Sequence, residues 1–200
     1  MKTPLCLVPC LLAGLLPAMA APPSKGGMKK PASSAPAYKQ ESPLPEGWPE
    51  PGPFNQVVRK HYPAYRAAVT PGSSPNRGFR RLFKHISRNR IPMTAPVEMK
   101  LADSAAGDME EMAFLYQSPE VGKPGADGEL VEVRDIPALD VLSYAWQGAR
   151  NKASTATARA ALDAELAKRK LKATGYRLLG YNSPFVPRSK QTHELQALLK

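Results

Sequence analysis

The sequence predicts an α+β domain built from two copies of a strand–strand–helix–strand–strand unit. Three observations carry this. Short runs rich in β-branched and aromatic residues recur between turn residues. Each half of the chain holds one stretch of helical character. A local echo links the halves: Val58-Arg59 followed by Pro63-Ala64 is repeated as Val133-Arg134 followed by Pro137-Ala138, and the two Pro-Ala steps lie 74 residues apart. Neither half can bury its own apolar face, so the two are expected to pair about a pseudo-two-fold axis around one core. The span 54–200 is long enough for that core.

In the first half, Val57 to Arg59 and Tyr65 to Thr70 read as strands joined through Tyr62-Pro63. Asn76 reads as the N-cap of a helix in which Phe79, Leu82, Phe83 and Ile86 fall on one stripe. Arg80, Arg81, Lys84 and Arg88 take its other faces. His85 lies about 110° from the centre of the stripe, on its flank. Val97 to Leu101 and Met112 to Tyr116 read as strands, and Gly122 to Gly128 as the loop between halves. The second half repeats the order. Leu130 to Ile136 and Asp140 to Trp146 are strands, and Ala153 to Lys170 is an alanine-rich helix. Tyr176 to Tyr181 and His193 to Leu199 complete it as strands.

The chain ahead of Phe54 has another texture. Lys2, the apolar run Leu5 to Leu16 and Ala18-Met19-Ala20 form the pattern of a secretory signal, with cleavage expected after Ala20. The run is too short to cross about 30 Å of hydrocarbon. Residues 21–53 hold nine prolines and no apolar periodicity, which predicts an extended, disordered linker. Trp48 near its end has reason to pack back onto the domain. Both cysteines, Cys6 and Cys10, fall within the signal. The mature chain is therefore expected to hold no disulfide, thiolate metal site or cysteine nucleophile. No second long apolar run follows, so no transmembrane segment is expected after cleavage. The net charge of +11 favours anionic partners. Export turns that preference away from nucleic acid and towards an anionic envelope surface.

Catalysis finds little support. Ser and Thr stand in no nucleophile-elbow pattern, and no glycine-rich loop opens a helix. His61, His85 and His193 are scattered over the first strand, the first helix and the last strand, without metal spacing. Asp108, Glu110 and Glu111 read as a solvated turn. A binding role is left. The first helix offers an apolar stripe flanked by cations, followed by Arg90 and Met93, which would suit a flat apolar ligand with anionic tails.

Ile91-Pro92-Met93-Thr94-Ala95-Pro96-Val97 resembles the hallmark segment of the SOUL haem-binding family. Gly180-Tyr181-Asn182-Ser183-Pro184 with Glu194-Leu195 is similar to that family's closing segment, and Val58-Arg59 with Pro63-Ala64 to its opening strand. The resemblance implies a twisted antiparallel barrel of eight strands with two helices. It also implies reversible binding of haem or a related tetrapyrrole as a ligand, without turnover. Carried over to this chain, the implied pocket is Leu82, Phe83, His85, Ile86, Arg88, Arg90 and Met93. Iron ligation would fall to His85 or His61. Some members carry a His directly after the opening Arg; here Lys60 stands there and His61 follows, a shift that a one-residue bulge would restore. The alternative is an interaction module that binds anionic envelope components through its basic surface, without haem.

Overall fold

The computed structural model describes residues 37–72, 74–102 and 108–200. The span read as a secretory signal and the first part of the span read as a linker lie outside the described residues. The elements run β1 (Val57–Tyr62), β2 (Tyr65–Pro71), α1 (Pro75–Arg88), β3 (Val97–Leu101), β4 (Met109–Leu115), β5 (Gly125–Ala126), β6 (Glu132–Ile136), β7 (Leu139–Gln147), α2 (Lys152–Arg169), β8 (Ala173–Gly180) and β9 (Thr192–Leu199). All the strands join one antiparallel sheet in the order β1-β7-β9-β8-β3-β4-β2-β6-β5. Between β8 and β3 this order is symmetric, matching β1 with β6, β2 with β7, β3 with β8 and β4 with β9. The two-unit repeat and the α+β class are therefore present.

Two expectations are corrected. The sheet has nine strands, because the loop between halves adds the two-residue β5 beside β6. It is also open: pairing runs from β1 to β5 without returning, so the described strands form no closed barrel. Both faces are covered by packing instead. On one face α1 and α2 lay Leu82, Ile86, Ala158, Leu162 and Leu166 over Met99, Phe114, Trp146, Leu178 and Leu195. On the other, Tyr62, Tyr65, Val69, Val141, Leu179 and Tyr181 pack beneath Trp48, with Tyr38 and Leu44 alongside.

The span read as linker therefore joins the fold earlier than Phe54. Trp48 is buried, its ring edge-on to Tyr62 at 4.5 Å and to Tyr65 at 5.1 Å. Backbone bonds from Glu46 to Gln117 (2.8 Å) and from Ala95 to Pro43 (2.9 Å) fasten the segment. A proline-rich stretch has no periodicity to betray such packing, because its contacts are all tertiary.

The helix ends also differ in detail. Ser74, not Asn76, holds the N-cap position of α1, without a side-chain capping bond, and Pro75 takes the first helical position, where its fixed φ and missing N–H cost nothing. At α2, Asn151 accepts from the Ser154 N–H (2.9 Å) while Ser154 Oγ accepts from the Asn151 N–H (3.0 Å), a reciprocal cap. Gly72, between β2 and α1, runs so close to β4 that a Cβ there would strike the Met109 carbonyl.

Candidate functional site

Three clusters of polar side chains compete for a functional role. The first surrounds His85. The helix is rotated from its expected setting, so that Gly78, Leu82, His85 and Ile86 are buried while Phe79 and Phe83 are exposed. Burial of an imidazole on the flank is possible because the loop between halves folds over it. His85 Nε2 meets the Tyr116 hydroxyl at 2.7 Å, and Nδ1 meets the Asp127 carboxylate. Arg88 pairs with the same carboxylate. The His85 imidazole and then Arg88 hold Asp127 below the usual carboxylate range. Burial, with Asp127 beside it, pushes the Tyr116 hydroxyl up to about 12. Both nitrogens of His85 are thus engaged by protein.

The second cluster lies on the opposite face. Glu194 is fully buried and pairs with Lys60. It accepts from Tyr181 (2.8 Å), Gln196 (3.1 Å) and Tyr62 (3.3 Å). Arg177 donates to Gln196 (2.8 Å), Tyr65 (2.9 Å) and Glu98 (3.0 Å). Burial and then Glu194 push the Tyr62 and Tyr181 hydroxyls upward. Charges paired and bonded in this way belong to the framework.

The third is a groove of about 850 Å³ between α2 and the start of α1, within the size range of small-molecule sites. Its floor is apolar, formed by Met99 and Leu101 of β3, Leu178 of β8 and Leu195 of β9. Ala156 and Ala160, one turn apart on α2, face it with the smallest side chains that keep a helix. Arg150, Lys152 and Arg159 line its edge. Arg159 is committed to Asp163 (3.1 Å) and lies 3.4 Å from the centre of the Tyr176 ring. Arg150 and Lys152 form no ion pair among the described residues, and Arg150 Nη1 lies 2.9 Å from Met99 Sδ. Both sit at the start of α2, where the helix dipole adds positive potential.

His193 stands beside this groove. It is 5% exposed, shares the face of Leu195, and its ring lies 5.4 Å from that of Trp146. A Cβ placed on Gly180 would sit 3.9 Å from Met99 Cε and 4.0 Å from His193 Nδ1. Met99 and His193 therefore converge over Gly180. Among the described residues neither ring nitrogen of His193 has a hydrogen-bond partner. Burial, helped by Arg150 and opposed by the Gly148 backbone, pushes the imidazole down to about 4, so it is neutral near pH 7.

The residues singled out from sequence are scattered relative to this groove. Leu82 and Ile86 are spent on the core, Met93 is half-buried against it, and Phe83, Arg88 and Arg90 are outward on or just after α1. His61 is exposed on edge strand β1, with Nδ1 at 2.7 Å from Asp140, which Arg59 also holds. The sheet order separates it from β2 and β4, on which α1 packs, so His61 and His85 are not brought together. Sequence reading missed His193, Met99 and Arg150. The alternation His193, Leu195, Ala197 against Glu194, Gln196 was the available signal, since a period of two puts His193 on the apolar side. Among the described residues no three His, Cys, Asp or Glu side chains gather as a metal site.

The profile of the SOUL heme-binding protein family matches residues 54–197. The chain belongs to this family. The family's description is one of haem binding. Among curated proteins nothing matches the chain. Solved structures share the fold. The C-terminal domain of EcmrR is 13% identical with a TM-score of 0.54, over 72% of this chain and 97% of that one. EcmrR in a DNA complex scores 0.56 at 13% identity, over 72% of this chain; the match spans only 57% of the EcmrR chain. A hydrolase from Listeria innocua scores 0.57 at 10% identity, over 74% of this chain and 94% of that one. At such identities the likeness is one of fold alone.

Proposed function

We propose that this SOUL-family protein reversibly binds haem or a related tetrapyrrole outside the cytoplasm, as a binder without turnover, and that the ring lies in the groove between the helices. The groove carries this reading: an apolar floor meets two cations that form no ion pair among the described residues. A tetrapyrrole has the complementary form, a flat apolar body with carboxylate tails. Arg150 and Lys152 would hold the tails, and Ala156 and Ala160 leave room for the body. Met99 and His193 offer a thioether and a neutral imidazole, the donor types that haem iron takes at its axial positions. Export is supported by Lys2, the Leu5 to Leu16 run and Ala18-Met19-Ala20. A mature N-terminus at Ala21, read by mass spectrometry on protein recovered from the periplasm or medium, would bear that out.

The test is a haemin titration of the full chain followed at the Soret band. A saturable one-to-one shift with a dissociation constant at or below about 1 μM, about −8 kcal/mol, is expected. Ala160→Trp should weaken it at least about tenfold, because the indole fills the groove. A second reading places the ligand against the outer face of α1, near the residues the family resemblance implied. It is favoured by the stacked rings of Phe79 and Phe83, 6.1 Å apart and 11° from parallel, both open to water. Phe83→Ala weakening haemin while Ala160→Trp leaves it intact would decide for that face. An adsorptive spectrum that never saturates would remove haem as the ligand.

A further inference from the structure

We infer that the loop carrying Phe185 is a contact site for anionic lipid. The Phe185 side chain is 93% exposed, well above Phe83 at 52%. A loop that merely wandered into water would leave such a ring free to fold back, but this loop is fixed on both sides of it. The Ser183 N–H donates to Glu41 (2.9 Å), and Asn182 Nδ2 donates to the Lys39 carbonyl (2.9 Å). Asn182 Oδ1 accepts from the Thr192 N–H (2.8 Å). Val186, the next residue, is buried, and its carbonyl accepts from Gln191 Nε2 (2.9 Å). Pro184 and Pro187 restrict the backbone on either side. The loop therefore holds Phe185 outward.

The surroundings of the ring indicate what it meets. Arg188 and Lys190 lie in the 3₁₀ turn that follows, and Lys39 is tied to the loop through its own carbonyl. All three are exposed and form no ion pair among the described residues. A single exposed ring on a loop that carries Arg188 and Lys190 and is tied to Lys39, with the Glu41 carboxylate taken up by the Ser183 N–H, suits an anionic lipid interface better than a protein pocket. The ring enters the boundary between headgroups and acyl chains while the cations stay at the phosphates. The chain's net charge of +11 draws it to the same surface. No helix among the described residues is long and apolar enough to span a bilayer, so contact through this loop is peripheral. The inference does not depend on haem.

The full chain should cosediment with mixed phosphatidylcholine–phosphatidylglycerol vesicles in preference to phosphatidylcholine alone. Phe185→Ser should weaken this about tenfold, with melting unchanged because the ring supports nothing beneath it. Arg188→Glu with Lys190→Glu should remove the preference for the anionic vesicles, each charge contributing about fivefold. In Phe185→Trp, the new indole should shift to the blue on vesicles and be quenched by brominated acyl chains. Trp48 and Trp146 are buried and should not respond. If Phe185→Ser binds as tightly as wild type, or the new indole in bound protein is not quenched, the contact lies elsewhere, the apolar run Leu5 to Leu16 included, and the inference fails. Absence of binding to either vesicle also overturns it and leaves the ring to a protein partner.

Discussion

Lys60 carries the positive charge that pairs with Glu194, a carboxylate without solvent. Lys60→Met leaves that carboxylate buried against four neutral donors, which should cost about 3–5 kcal/mol in urea unfolding. Adding Glu194→Gln should recover most of the loss, because no unpaired buried charge then remains at that position. His193 sets a dependence of the opposite kind. Its pKa is about 4 in the fold against 6.5 ordinarily, so between those values the unfolded chain binds the extra proton. Stability should therefore be full above the ordinary value and fall with pH, by about 2 kcal/mol between about pH 7 and about pH 5. Urea titrations of His193→Gln should lack that component of the slope. Residue types were legible from sequence here, but partners were not. Lys60 and Glu194 lie far apart in the chain and are joined by two strand crossings that no local pattern reports.

At the scale of elements, periodicity located both helices and placed the core strands within a few residues, because alternation and the helical stripe are local. It set α1 at the wrong angle. Phe79 and Phe83 outrank His85 in apolarity, yet His85 is the buried one, because Tyr116 and Asp127 satisfy both its nitrogens. The segment ahead of β1 was harder to read: Tyr38, Leu44 and Trp48 stand amid prolines without a period and pack by tertiary contact alone. Trp48→Ala should cost about 3–5 kcal/mol, read as a lower urea midpoint. It opens the contact that the segment makes with Tyr62 and Tyr65. An unchanged midpoint would return this stretch to a passive tether.

For the whole molecule, the two-fold repeat was readable in Val58-Arg59 and Val133-Arg134, but the groove was not, since Met99 comes from one unit and Arg150 and Ala160 from the other. The repeat alone would give two equivalent helix faces. The loop between halves breaks the equivalence: it packs Val121 and Val131 against the core and ties Asp127 to His85 and Arg88 of α1. Among the described residues no such strap lies over α2, and Ala156 and Ala160 keep space where bulk would close it. Cutting the strap therefore separates support from binding. Asp127→Ala removes the carboxylate partner of a buried imidazole and should lower stability by about 1–3 kcal/mol. If the ligand sits by α2, haemin affinity at the Soret band should stay within about twofold of wild type, well under the tenfold step that 1.4 kcal/mol represents. If the ligand lies on α1, loosening the strap beside Phe83 and Arg88 should move affinity and stability together.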